Sequence, residues 1–337
     1  MEGAALPSAP AKSAESLTET GSTLLFPLFG TWSTAYQKLY PQVTITTGGT
    51  GSGTGITDAA TGTVNIGASD AYLSSSDMSA NPDLLNIPLA ISAQQINYNV
   101  PGVSNLKLDG TVLAQIYSGK ITNWNDPAIK ALNPGAPLPN LKIVTLHRAD
   151  SSGDSFLFTS YLNAQDPSGW ATSNVGTSVS WPSAPGALAE TGNSGMVSGC
   201  AANKGCIAYI GISYLAKTKA AGLGEAFLKN ASGNYLQPTP ASISAAAAAE
   251  TSKTPADETL SMINGPAPQG YAIINYEYAI VKTKQSNATQ AEDIRAFLHW
   301  VLADGQNTTT YVGTVDFEPL PASVVTLSNN QVAKIGS

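Results

Sequence analysis

VTITTGGTGSGTGITDAATGTVNIGAS, residues 43–69, carries the pattern on which the fold turns. VTITT (43–47) and VNIGAS (64–69) are short β-branched runs that read as strands. Between them a Gly-rich turn opens a helix that begins at Ser52 and runs through ITDAA. Strand, turn, helix, strand is the repeating unit of α/β architecture with largely parallel strands, whose ligands sit at the C-terminal ends of the strands. Upstream, Leu24 to Tyr40 reads as a helix opened by Ser22 or Thr23, with Pro27 tolerated because it falls near the first turn. Downstream, NIPLAIS (86–92) reads as another strand, and a helix starting near Ser152 carries FLFTSYL. The alanine run 244–249 is a plain helix by propensity. Near the end, YAIINYEYAIV (271–281) returns to strand, and Ile294, Phe297, Leu298, Val301 and Leu302 then share one helix face.

HRADSSGDS, residues 147–155, concentrates the chemistry. It holds a guanidinium, two carboxylates, three hydroxyls and a glycine just ahead of Phe156-Leu157-Phe158, and the chain has one other arginine, Arg295. A forked cation beside the free N–H groups of a helix start suits an oxyanion. GSTLLFP (21–27) and GGTGSGTG (48–55) are comparable segments, and Ser69-Asp70 adds an acceptor. Together they point to a small tetrahedral anion.

At 337 residues the chain has room for about two domains, and with 12% charged residues, 31 Gly and 21 Pro it is loop-rich and weakly charged. A net charge of -7 argues against nucleic acid and anionic membranes, which call for clustered Lys and Arg, but not against a locally bound anion. Residues 94–270 differ in texture, with Trp124, Trp170, Trp181 and Pro/Gly-rich loops, so the preferred organisation is a first domain interrupted by a second. Cys200 and Cys206 flank CAANKGC; a local disulfide would imply an oxidising compartment, and two free thiols are the alternative. No apolar run approaches the roughly 20 residues of a membrane span. Residues 1–16 read as a flexible leader behind an added Met, with targeting information trimmed away.

ETGSTLLFPLF, GTGSGTGI, NIGASDAYLS and HRADSSGDSFLF, in that order, resemble the PstS family of periplasmic phosphate-binding proteins, the substrate-binding components of phosphate ABC transporters. The resemblance runs from about residue 17 to the C-terminus, and ISAQQINYNVPGVS, GCIAYIGISYL, INGPAPQGY and IINYEYAIV bring it nearest to the mycobacterial phosphate-binding lipoprotein antigens. It implies a type II periplasmic-binding-protein fold: two lobes, each a central mixed sheet flanked by helices, with two crossover strands and the ligand in the cleft. Lobe I is then 17–93 plus 272–337 and lobe II is 94–271. It also implies an extracytoplasmic protein, monomeric and lipid-anchored in its precursor, that closes on phosphate and delivers it to a membrane permease. No cofactor or metal is implied.

Carried over position by position, the resemblance places Thr23, the Leu24 N–H, Ser52 and Asp70 on the anion from one lobe, and Arg148, Ser152 and the Gly153 N–H from the other. The chemistry agrees, since phosphate oxygens want donors. Asp70 is the exception: a carboxylate only accepts, so it fits a protonated phosphate and rejects sulfate. Arsenate, also protonated, should enter. Asp154 stands where the commoner family pattern has a small hydroxyl residue. It is either a second proton acceptor or a helix-start carboxylate paired with Arg148.

Blander readings attach to other residues. His147 is a structural neighbour of its loop, His299 packs or faces solvent, and Tyr276/Tyr278 are core or hinge packing. GNSGM (192–196) faintly resembles a serine-protease nucleophile loop but lacks His and Asp partners. A secreted phosphatase would use the same anion site, yet two distant histidines make a metal centre a poor expectation. An adhesion or antigenic surface protein would leave the anion constellation unexplained. Binding without catalysis fits best.

Overall fold

The computed structural model describes residues 6–337, a mixed α/β protein. The chain divides into two compact units. The first comprises the described part of Met1–Ile91 with Thr251–Ser261 and Tyr276–Ser337; the second comprises Ser92–Glu250 and Met262–Asn275. Two strands, Leu84–Tyr98 and Ile274–Lys282, begin in one unit and end in the other. The segment Thr251–Ser261, expected within lobe II, belongs to the first unit instead. Buried polar contacts hold it there: Tyr278 donates to the Glu258 carbonyl (3.0 Å), Ser328 to the Glu258 carboxyl (2.9 Å) and Gln331 to the Ala256 carbonyl (2.8 Å).

In the first unit, strand Leu17–Gly21 lies parallel to Ile45–Thr46 on one side and Ile66–Ser69 on the other. Ile274–Lys282 then runs antiparallel to Ile66–Ser69, pairing Tyr278 with Ser69. The sheet is therefore mixed, and the strand expected over 43–47 is only two residues long. Helices Phe26–Leu39 and Ser52–Thr61 fill the two crossovers. Phe29 and Tyr36 bury against the helix Ala288–Leu302 through Phe297 (5.6 Å from Phe29, 5.1 Å from Tyr36) and Trp300, and Trp32, at helical spacing with them, donates to the Gly305 carbonyl (2.9 Å) just beyond that helix. The five apolar residues expected to share a face of that helix are all buried.

The expected leader falls partly outside the described residues. Over 6–16 it is docked rather than free. Asp293, 1% exposed, needs donors for both oxygens, and the N–H groups of Ala11 and Glu15 supply them at 2.8 Å each.

In the second unit the strands again pair in both senses. Leu84–Tyr98 runs antiparallel to Cys206–Gly211, which lies parallel to Val144–Arg148, which lies parallel to Leu188–Glu190. Helices Gly153–Gln165 and Gly192–Ala202 follow the last two of these strands and pack on the sheet. Phe158 stacks on Tyr209 at 4.7 Å, tying the first helix to the central strand. A disulfide joins Cys200 to Cys206 across the turn between helix and strand. Among the described residues no helix is long and apolar enough to cross a membrane.

Close backbone approach explains Gly55 better than flexibility does. A Cβ on Gly55 would lie 2.6 Å from the Ala68 carbonyl oxygen and 2.8 Å from that of Thr20, both backbone atoms that cannot turn away. Gly51 holds a φ of 100°, open to glycine but strained for other residues, immediately before the helix at Ser52. These two positions let that helix start seat itself directly against the strands. Gly55→Ala is expected to cost about 1–3 kcal/mol by overpacking, read as a lower urea midpoint at unchanged slope; wild-type stability would mean that the helix can shift freely.

Candidate anion-binding site

In the first unit, the strand Leu17–Gly21 ends in a turn in which Ser22 acts as the cap. Its Oγ accepts from the Leu25 N–H (2.8 Å), and its carbonyl accepts from the Phe26 N–H (3.1 Å). Thr23 and Leu24 lie in this turn, 7% and 0% exposed, just ahead of the helix that begins at Phe26 with Pro27 in its first turn. Ser52 is the first residue of the next helix, and Asp70 follows the strand Ile66–Ser69. The structure brings Ser52 and Asp70 together: the Ser52 hydroxyl donates to Asp70 Oδ2 (3.2 Å) and accepts from the Asp70 N–H (3.1 Å). Ser22 donates to Asp70 Oδ1. A carboxylate 2% exposed thus meets one hydroxyl from each of two helix starts.

In the second unit, strand Val144–Arg148 delivers Arg148 into a buried ion network. Its Nε donates to Asp150 Oδ1 (2.7 Å), its Nη2 to Asp150 Oδ2, and its Nη1 to Asp154 Oδ2 (2.8 Å). Three of its five N–H donors are thereby used, leaving two for a further acceptor. Burial opposes ionisation of Asp150, but the bonds and charge of Arg148, helped by the Gly192 N–H, hold it below the usual carboxylate value. Asp154 is fully buried, which pushes its carboxyl up, against the pull of Arg148, Gln94 and Asn193. The backbone N–H of Arg148 donates to the Tyr209 hydroxyl (2.8 Å), which in turn meets Ser155 Oγ (2.7 Å). Ser152 caps the helix that starts at Gly153, and its Oγ is buried without a hydrogen-bond partner among the described residues. That is an orphan donor at a helix start.

The eight residues expected on the anion therefore fall into two sets: Thr23, Leu24, Ser52 and Asp70 belong to the first unit, and Arg148, Ser152, Gly153 and Asp154 to the second. Asp154 does pair with Arg148. Asp150, Gln94 and Asn193 were not foreseen. Asp150 stood within the HRADSSGDS motif, two residues beyond Arg148. Gln94 and Asn193 come from 60 and 39 residues away, and no local signal marks them. Asn193 sits in GNSGM, at the start of a helix rather than at a nucleophile turn. His147 lies 5.1 Å from the Trp181 ring, and burial lowers its pKa; His299 Nδ1 pairs with Asn329 at 2.9 Å. Tyr276 and Tyr278 are core residues of the first unit. Among the described residues no group of three or more His, Cys, Asp or Glu could hold a metal ion.

Comparison with known proteins gives the family and the fold. Residues 6–305 match the family model of the PBP superfamily domain. The phosphate-binding protein PstS of Haemophilus influenzae is 30% identical over 324 residues, spanning 96% of this chain and 94% of that protein. Phosphate-binding protein PstS 2 of Mycobacterium tuberculosis is 30% identical over 312 residues, spanning 86% and 79%. A high affinity periplasmic phosphate-binding protein solved with bound phosphate shares the fold, with a TM-score of 0.72 at 23% identity over 96% of this chain and 99% of its own.

The strand that leads into the Ser22 turn carries one more buried carboxyl. Burial pushes Glu19 from 4.5 up to about 8, both carboxyl oxygens being buried without a hydrogen-bond partner among the described residues. The folded state thus holds this proton more tightly than the unfolded chain does. Its contribution to stability is full below about pH 4.5 and is lost as pH rises through about 8, at up to about 1.4 kcal/mol per unit. Glu19→Gln is expected to remove this loss, so its urea-unfolding gain over wild type should be larger near pH 8 than near pH 5. Equal gains at both would mean that Glu19 is already ionised in the fold.

Proposed function

The chain belongs to the PstS family of phosphate-binding proteins, within the PBP superfamily, and we propose that it captures inorganic phosphate outside the cytoplasm and hands it to the permease of a phosphate ABC transporter. It is a binding protein, not a phosphatase. The observation that carries the reading is Asp70, a buried carboxylate met by hydroxyls from two helix starts in a chain that is 30% identical to PstS. Thr23, the Leu24 N–H and Ser52 contribute donors from the same unit. Arg148, Ser152 and the Gly153 N–H contribute donors from the second.

Selectivity follows from the acceptors. A buried carboxylate facing the ligand repels a bare oxyanion and accepts a hydrogen bond from a P–OH. Sulfate carries no proton at neutral pH, so it would face the carboxylate with no hydrogen to give, a mismatch worth factors up to about 10⁴–10⁵ where a site is built around the missing hydrogen. Arsenate has the needed proton and the same tetrahedral shape. The extracytoplasmic location is in keeping with the Cys200–Cys206 disulfide.

Calorimetric titration of the ligand-stripped protein is the direct test. Phosphate and arsenate are expected to bind and sulfate to remain silent; comparable phosphate and sulfate affinities would sink the acceptor account. Asp70→Asn should keep the fold, since the amide oxygen can still accept from one serine while the other hydroxyl turns to accept from the amide N–H, but narrow the gap between phosphate and sulfate. Arg148→Ala should weaken phosphate binding by about 2–5 kcal/mol, part of it because Asp150 and Asp154 are left facing each other without their cation. Tight binding retained in that variant would take Arg148 out of the ligand set.

A further inference from the structure

Asp154 is surrounded by donors whose orientation is locked by the backbone. Its Oδ2 accepts from Arg148 Nη1 (2.8 Å) and from Asn193 Nδ2 (2.7 Å), and its Oδ1 accepts from Gln94 Nε2 (3.1 Å). The amide of Asn193 has no freedom to flip, because its Oδ1 accepts from the Gly211 N–H (2.8 Å), a group that only donates. Gln94 is fixed by the converse. Its Nε2 also donates to the Asp154 carbonyl (2.9 Å), a group that only accepts. The cost of that orientation is visible, since Gln94 Oε1 is buried without a hydrogen-bond partner among the described residues.

Both amides are fully buried, and they reach Asp154 from elements far apart in the chain, the strand Leu84–Tyr98 and the first turn of the helix Gly192–Ala202. Protonation of Asp154 would take up acceptor capacity and weaken its hold on these donors, whereas an ionised carboxylate accepts from all three. The other charged or titratable groups that interact with it are Asp150 in the adjoining loop, Tyr209 on the strand Cys206–Gly211 and Tyr214 just beyond that strand. Of all these, only Arg148 is a cation.

We infer that Gln94 and Asn193 are positioning residues that hold Asp154 as an ionised, acceptor-only carboxylate, and so set the pH range over which the second unit's residues serve phosphate. The effect on phosphate rests on the reading of Asp154 as part of the binding set; the charge assignment does not. With Asp154 ionised, Arg148, Asp150 and Asp154 together carry one net negative charge. Every anion engaged there must then either bring a proton of its own or be held against that charge. Because burial works towards protonation, taking away either amide lets Asp154 take up a proton at a higher pH.

The test uses the full chain stripped of ligand, with two independent variants. Asn193→Leu removes one donor but also strands the Gly211 N–H; Gln94→Met removes the other with little change of shape. Carboxyl-carbon NMR follows the titration of Asp154 directly, and calorimetry follows phosphate affinity against pH. Loss of one hydrogen bond to a charged carboxylate should move the Asp154 midpoint up by roughly one to two pH units in each variant. The phosphate profile should move in the same direction, and both variants should lose that effect on the profile in an Asp154→Asn background. An unmoved midpoint in Gln94→Met and Asn193→Leu overturns the inference, as does a profile shift that survives Asp154→Asn. A shifted midpoint in a protein that binds no phosphate would uphold the charge assignment and overturn the proposed function instead.

Discussion

A single buried cation organises the second unit. Arg148 is 4% exposed, and taking such a charge out of water costs several kcal/mol even after relaxation. That cost is offset by two carboxylates that pair with the guanidinium and accept its hydrogen bonds, and much of the local architecture serves that end. The strand Val144–Arg148 is gripped on both sides by parallel neighbours. Tyr209 anchors the Arg148 N–H, and Gly192 steadies Asp150 from the start of the next helix. Two carboxylates take three of the five N–H groups and leave a pair of donors. A cation held in this way keeps its orientation whether or not an anion is present, so little ordering entropy is spent when one arrives.

The first unit solves the complementary problem with hydroxyls. Asp70 meets Ser22 and Ser52, each of which has one hydrogen to give and can also accept. Those hydrogens serve the carboxylate, while the Ser52 oxygen accepts from the Asp70 N–H. Hydroxyl rotors can redistribute such bonds at low cost, which a guanidinium clamp cannot. The two units therefore offer different things: a fixed positive fork in one, and in the other an acceptor whose neighbours can adjust.

Much of this was legible before any coordinates. The helix starts at Ser52 and near Ser152, the strand before Asp70 and the buried face from Ile294 to Leu302 are local patterns, and each appears where the spacing puts it. The disulfide was one of two alternatives for a six-residue separation, and it is present. The misses share a physical cause. Thr251–Ser261 joins the first unit through contacts to Ser328, Gln331 and Tyr278, partners that composition alone cannot pair. Residues 6–16 look like a free tail until the buried carboxylate of Asp293 claims their N–H groups. Gln94 and Asn193 are ordinary amides in the sequence and acquire meaning only through the backbone groups that lock them.

Amide locking also bears on why the proposed selectivity rests on protons rather than size. A pocket that measures radius separates phosphate from sulfate poorly, because the two differ little in shape. An acceptor separates them by whether a hydrogen is present, provided that the acceptor cannot itself become a donor. Carboxyls are unreliable in this respect, since burial favours their protonated form, and a protonated carboxyl would welcome the ion it is meant to refuse. Surrounding the group with donors that cannot turn round removes that escape. Asp154 is met in this way, by a guanidinium and two immobilised amides, whereas the hydroxyls around Asp70 can still turn. On this argument the donors behind the carboxylates, which need not touch the ligand, determine selectivity as much as the carboxylates do.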